Sequence, residues 1–192
     1  PDYCFYGCEE LRSITFTKFN TITKYGDYAF YNCKWYGYSQ SQYPLPTSLK
    51  HIGSHCFYGN FFMYNIDLSG VEYIGEKVFE NCTHIESINY PDNCTIYGAQ
   101  LTSNIKTFSF GNNNIIDGSY FINNRKDLVE IDFSNVDFAS TASYVLSGGD
   151  NIRTVVLDPN TTLIPSYFAS NLKNLTSVNF ANLTNLESIE YN

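Results

Sequence analysis

A pattern of spaced apolar residues recurs along this 192-residue chain and limits what it can fold into. The pattern is clearest in residues 74–90, where a phenylalanine is followed by apolar residues 3, 6, 9 and 11 positions later: Phe79, Cys82, Ile85, Ile88 and Tyr90. The leading positions, called slots here, are Phe5, Phe30, Phe57, Phe79, Leu101, Phe121, Leu146 and Phe168. Seven intervals separate slots 5 and 168, so the mean period is about 23 residues. A unit this short cannot bury its apolar face alone, and the period therefore predicts stacked coils in a solenoid.

The last two apolar positions of each unit lie two residues apart, which places both side chains on one face of a short strand. Stacked strands of this kind predict a parallel sheet, with inward pairs running from Ile14/Phe16 to a shortened ninth strand at Ile189/Tyr191. The residues between the inward ones must face solvent. These outward residues are small, polar and weakly acidic, and the candidate binding residues among them are Asp67, Asn89, Glu130 and Asp132.

Two later units, led by the slots Phe121 and Phe168, are interpreted as having one extra residue after the slot. This interpretation puts Asn124 and Asn171 at the position three after the slot, where other copies have cysteine or Asn60.

The second unit is longer, since Tyr43 lies 13 residues after Phe30 where regular copies have 9. The extra residues must leave the coil within residues 34–40, and insertions in solenoids form loops that often bind partners. Aromatic side chains are enriched at binding hot spots, so Trp35, Tyr36 and Tyr38 are candidate binding residues. The alternative is that these aromatic side chains cover a coil edge widened by the insertion.

Charge and hydropathy narrow the possible partners. The formal net charge of −8 argues against nucleic acid and anionic lipid, which need a basic surface. No apolar run approaches the ~20 residues that span a bilayer. Pro1 already lies inside a repeat, so we expect one solenoid domain over residues 1–192 that is a piece of a longer chain, with contacts at its uncapped ends.

Cysteine, histidine and serine patterns give no catalytic or metal site. Five of the six cysteines, all but Cys94, fit repeat positions as small buried thiols. Stacked coils would also permit disulfides, so the redox compartment stays open. The three histidines do not have a convergent metal-ligand spacing, and no nucleophile elbow or phosphate-binding glycine loop is present. We therefore expect no enzyme activity, no metal and no cofactor.

The sequence contains five N-glycosylation sequons. Among them, Asn93 and Asn160 are the best placed acceptors, since both follow a strand in a predicted loop. The alternative is that the sequons arise by chance in an Asn- and Thr-rich chain.

The pattern I-G-x-x-x-F-x-x-C-x-x-L-x-x-I-x-L, closest in residues 74–90 and 5–16, resembles the BspA-like (Treponema-type) leucine-rich repeat. The resemblance implies a leucine-rich-repeat solenoid of the α/β horseshoe class, mainly β. We expect about eight coils, with the parallel sheet on the concave face and short turns or helical turns on the convex face. It also implies a non-enzymatic protein of the cell surface or extracellular space that binds proteins or other cells.

These observations lead to two functional hypotheses. The first is a cell-surface or secreted binding repeat that mediates adhesion or protein–protein contact with a host matrix, cell-surface or structural protein, or with a glycan. The second is an intracellular cytoskeletal or scaffold component whose solenoid packs against a filament or neighbouring subunits.

Overall fold

The chain forms a mainly-β solenoid of parallel strands in a computed structural model that describes residues 1–11, 18–33, 45–61, 66–98, 105–122 and 125–190. The predicted solenoid of stacked parallel strands is confirmed. The strands are β1 Lys24–Tyr25, β2 His51–Ile52, β3 Tyr73–Ile74, β4 Ser87–Tyr90, β5 Thr95–Tyr97, β6 Thr107–Phe110, β7 Asn114–Asp117, β8 Glu130–Phe133, β9 Val136–Phe138, β10 Thr154–Leu157, β11 Leu163–Ile164, β12 Ser177–Val178 and β13 Ser188–Ile189. Two 3₁₀ helices cover Phe19–Thr21 and Phe180–Asn182.

The first sheet contains six parallel strands in the order β1-β2-β3-β5-β7-β9. Its register aligns one buried apolar residue from each coil, so the sheet closes one side of the core: Tyr25, Ile52, Ile74, Ile96, Ile116 and Phe138. Three of these strands are only two residues long. Strands so short show no alternation in sequence, which is why the repeat pattern did not predict this sheet.

The second sheet is built from the strands that the sequence predicted, and it is divided into two parts. Strand β4 pairs with β6, and β10 lies between β8 and β12. The inward residues of β4, β8 and β10 are at most 3% exposed, as the two-residue spacing predicts: Ile88, Tyr90, Ile131, Phe133, Val155 and Leu157. In the described part of the chain, no strand pairs with the facing edges of β6 and β8.

The core of the first coils is a stack of phenylalanine rings. The centroid of the Phe30 ring lies 5.3 Å from that of Phe5 and 5.6 Å from that of Phe57, and Phe79 continues the stack at 6.1 Å. These offset ring pairs add about 0.5–1.5 kcal/mol each beyond simple burial.

Cysteine and asparagine alternate at the position three residues after the slot because both side chains can donate the same hydrogen bond. The thiol of Cys33 donates to the carbonyl oxygen of Phe5 (2.9 Å), and Cys82 does the same to Phe57 (3.0 Å). The amide of Asn60 donates to the carbonyl oxygen of Phe30 (2.7 Å). Both residue types therefore link a buried carbonyl of the preceding coil. Burial raises the pKa of the Cys82 thiol to about 12, so this group keeps the proton that it donates.

The backbone ladder corrects the slots assigned to Phe121 and Phe168. The amide of Ile122 donates to the carbonyl of Val145, and that of Leu146 to Phe168, which aligns Ile122, Leu146 and Ala169. Left-handed residues two positions before each described slot give the same alignment, with φ between 49° and 59°: Tyr3, Tyr28, His55, Lys77, Tyr120, Tyr144 and Tyr167.

The extra residue of these units therefore lies before the slot, and the regular offsets follow it. Arg125 and Leu172, not Asn124 and Asn171, stand three residues after the slot. Asn124 lies outside the described residues, while Asn171 is an exposed turn residue with a φ of 63°.

The expected ninth strand of the second sheet was also assigned to the wrong sheet. Strand β13 pairs with β11, so Ile189 lies beside Ile164. The preceding 3₁₀ helix carries the chain past β12, just as Phe19–Thr21 precedes β1. Tyr191 lies outside the described residues.

Candidate binding surface

The predicted binding residues of the second sheet are all exposed, and the structure brings them together in two pairs. Asp67 and Asn89 line one groove of about 520 Å³. Glu130 and Asp132 line another, of about 460 Å³, which lies between β6 and β8. Both volumes fall within the range of about 300–1,000 Å³ seen for ligand pockets.

The first pair is held by local hydrogen bonds. A carboxylate oxygen of Asp67 accepts the backbone N–H of Ser69 (2.9 Å), and hydrogen bonding to Ser69 lowers the pKa of Asp67. Asn89 accepts a hydrogen bond from the hydroxyl of Ser109 on the neighbouring strand (2.8 Å). Asp67 therefore remains charged at neutral pH, and the Asn89 carboxamide is fixed across two strands.

The second pair, Glu130 and Asp132, lines the gap between β6 and β8, and this gap is called the β6–β8 groove here. The amide of Thr154 donates to the carbonyl of Val129, and backbone groups of a parallel strand point alternately to its two neighbours. The amides of Ile131 and Phe133 therefore face β10, while those of Glu130 and Asp132 face the groove.

The opposite wall of the groove is built in the same way. Thr107 donates to Glu86 in the preceding coil, and the register with β4 continues along the strand. The amides of Phe108 and Phe110 consequently face β8, without a partner in the described part of the chain. Two strand edges with open donors and acceptors face each other across one groove.

Side chains give this groove an apolar floor and an acidic rim. The rings of Phe108 and Phe110 are half-buried and packed edge-on at 5.8 Å, and both pack against the core, as the repeat pattern predicted. The one cation among the lining residues, Lys106, forms an ion pair of 2.7 Å with Glu86. Asp132 accepts the N–H of Ser134 (2.9 Å) and, with Glu130, leaves the rim acidic.

A buried arginine lies in the coil that leads into β8. Arg125 is 0% exposed and occupies the position three after the slot, where the first four coils have the smaller cysteine or asparagine. Its guanidinium donates two hydrogen bonds to the carboxylate of Asp127, at 2.8 and 2.7 Å. Arg125 therefore places a larger, charged side chain at an inward position of the coil that borders the break. The sequence pattern alone did not identify Arg125, because the slot before it was assigned one residue early.

The remaining predicted site residues lie elsewhere. Trp35, Tyr36 and Tyr38 lie outside the described residues. Asn93 and Asn160 lie in exposed turns after β4 and β10, as expected. Each accepts a side-chain hydrogen bond from a neighbouring coil: Asn93 from Asn113 (3.1 Å) and Asn160 from Asn185 (3.3 Å).

The described helices are single short turns, and none has the length and apolar character to cross a membrane.

Comparison with known proteins supports the repeat assignment. The family profile described as BspA type Leucine rich repeat region, with 6 copies, matches residues 1–102 and 100–192. The crystal structure of a leucine-rich repeat protein from Bacteroides ovatus is similar, with a TM-score of 0.68 and 15% sequence identity. The similarity covers 92% of this chain and 51% of that chain, so this chain spans about half the length of that protein. A search of curated proteins gave no match.

The structural likeness shows the fold, and the family profile shows the family. Repeats of this family are typical of domains that make protein contacts. The repeat pattern predicted this assignment from the spacing of apolar residues, and the matched residues extend from one end of the sequence to the other. The chain belongs to the BspA-type leucine-rich repeat family.

Proposed function

We propose that this chain is a single repeat domain of a cell-surface or secreted protein, and that it mediates adhesion by binding another protein through the second sheet. The observation that carries the proposal is the β6–β8 groove, where exposed carboxylates and open strand edges meet. Asp67 and Asn89 extend the same polar surface toward the N-terminal coils. A weakly acidic, rigid sheet favours a partner with a basic contact surface, since complementary charge steers association.

The acidic side chains provide a direct test of this function. The domain is passed over a panel of immobilised extracellular-matrix proteins, and saturable binding is measured by biolayer interferometry. The triple variant Asp67→Asn, Glu130→Gln, Asp132→Asn is expected to bind about tenfold more weakly.

A matched control triple removes the same charge away from the second sheet: Asp150→Asn, Glu187→Gln and Glu190→Gln. The control is expected to bind like the parent domain. Equal losses in the two triples would show that net charge, not this surface, governs binding, and failure to bind any matrix protein would oppose the adhesion function.

Location is tested separately through the sequons. Asn93 and Asn160 are exposed in turns, as glycan acceptors must be. Peptide mapping of protein from its native source is expected to show glycan on at least one of them if the source is eukaryotic and the protein is secreted.

The alternative function, an intracellular scaffold, is favoured by a different observation. All six cysteines are free thiols, and four of them are buried. Thiols persist in reducing compartments, whereas disulfides form in oxidising ones. Bare asparagines together with free thiols in native protein would favour this alternative, and saturable binding to a purified filament protein would establish it.

A further inference from the structure

We propose that the β6–β8 groove binds an extended peptide segment of the partner, with the partner's main chain pairing to the open edges and its basic side chains contacting Glu130 and Asp132. This inference rests on the proposed function and names the mode of contact. An extended segment adds to a sheet edge through main-chain hydrogen bonds, while alternate side chains provide specificity.

Main-chain pairing is favoured because some backbone N–H and C=O groups of β6 and β8 do not pair with the neighbouring strands β4 and β10. The amides of Phe108 and Phe110 face the groove from one side, and those of Glu130 and Asp132 from the other. Exposed edges of this kind template pairing with another chain, and proteins usually cover or interrupt them. Here the two edges lie within one groove of about 460 Å³, which places the open groups around a shared space.

The side chains that line the groove predict an alternating ligand. Phe108 and Phe110 form the floor with Leu128, which is 9% exposed. Inward side chains of a bound segment would therefore be apolar. Outward side chains would lie beside Glu130 and Asp132 on one wall and beside the hydroxyls of Thr107 and Ser109 on the other.

The charge of the groove selects basic residues at the outward positions. Lys106 is already paired with Glu86 and does not neutralise the rim. The whole chain carries a formal charge of −8, so an acidic segment would be repelled at long range as well. A peptide that alternates valine and lysine has the required pattern.

The probe is acetyl-Val-Lys-Val-Lys-Val-Lys-amide, and its binding to the domain is measured by NMR titration. We expect amide shifts to concentrate at Phe108, Phe110, Glu130 and Asp132. The double variant Glu130→Gln, Asp132→Asn is expected to weaken binding about tenfold, whereas the matched change Glu187→Gln with Asp150→Asn, away from the second sheet, leaves it nearly unchanged. The analogue with glutamate in place of lysine should not bind.

A second probe tests the main-chain contribution. N-methylation of alternate peptide nitrogens removes hydrogen-bond donors and leaves every side chain in place. We expect this analogue to lose about tenfold in affinity, since main-chain bonds give edge pairing its affinity. Equal binding by the methylated peptide, shifts outside the groove, or no binding at millimolar peptide would each overturn the proposal. Concentration-dependent dimerisation through the same amides would assign the groove to a second copy of this chain instead.

The two proposals fail in different ways. If the domain binds a matrix protein through the second sheet but the peptide neither binds nor competes, the edge-pairing mode is wrong and the function stands. If the peptide binds but no matrix protein does, the groove is a peptide site and the adhesion function is wrong.

Discussion

The ion pair between Arg125 and Asp127 gives a quantitative test of how the coil before β8 is held. The side chain of Arg125 is 0% exposed, while that of Asp127 is 56% exposed. Breaking a fully buried pair costs about 3–5 kcal/mol because it leaves an uncompensated charge, and an exposed pair contributes about 0–1 kcal/mol. With one end buried, Asp127→Ala is expected to lower the free energy of unfolding by about 2 kcal/mol.

Thermal unfolding followed by circular dichroism measures this loss. For a domain of this size about 1 kcal/mol corresponds to 2–4 °C, so Tm should fall by about 4–8 °C at pH 7. The matched control is Asp150→Ala, since the Asp150 carboxylate forms no ion pair in the described part of the chain. The double variant Arg125→Met, Asp127→Ala should lose less than Asp127→Ala alone, because it removes the buried charge together with its partner.

The pH dependence of the same effect follows from the carboxylate. The hydrogen bonds from Arg125 lower the pKa of Asp127. A lowered folded-state pKa contributes stability that is present above the unfolded pKa, about 3.9, and is lost as pH falls through the folded pKa. The Tm difference between parent and Asp127→Ala should therefore shrink in acid. A Tm loss no larger than that of Asp150→Ala would refute the argument that Asp127 compensates a buried charge.

Two further predictions concern the turns and the thiols. Tyr144 has a φ of 49°, and its ring stacks between those of Tyr120 and Tyr167, at centroid distances of 5.1 and 4.5 Å. Because left-handed backbone costs a non-glycine residue about 1–2 kcal/mol, Tyr144→Gly should unfold at a higher temperature than Tyr144→Ala. The reverse order of unfolding temperatures would contradict backbone strain at this position. Only Cys4 and Cys8 are exposed among the six free thiols. A thiol reagent at pH 8 should therefore label two cysteines rapidly in the folded protein and all six after denaturation. Rapid labelling of more than two cysteines in the folded protein would contradict the burial of the other four.

Much of the core was predictable because each coil repeats one spacing. Phe30, Phe57 and Phe79 were identified as buried from the offsets alone, and their ring stack confirms it. The equivalence of cysteine and Asn60 was visible as a pattern. Its reason, donation to a carbonyl of the preceding coil, needed the atomic contacts.

The errors arose where sequence offers two adjacent apolar choices. Phe121 and Ile122 are both buried, so an aromatic preference placed the slot one residue early, and the backbone ladder was needed to correct it. The break in the second sheet was not predicted, because it concerns how two strands of different coils, β6 and β8, lie relative to each other. A periodic pattern identifies strands but does not give the separation between two of them.

The break between β6 and β8 defines the proposed binding site, and amide exchange measured by NMR tests it most directly. In the free domain, the amides of Phe108, Phe110, Glu130 and Asp132 should exchange rapidly, while those of Ile131 and Phe133, bonded to β10, stay protected. Addition of the valine–lysine peptide should then slow exchange at the four groove amides. Equal protection of all six amides in the free domain would show a continuous second sheet, and the β6–β8 groove would then not exist as a binding site.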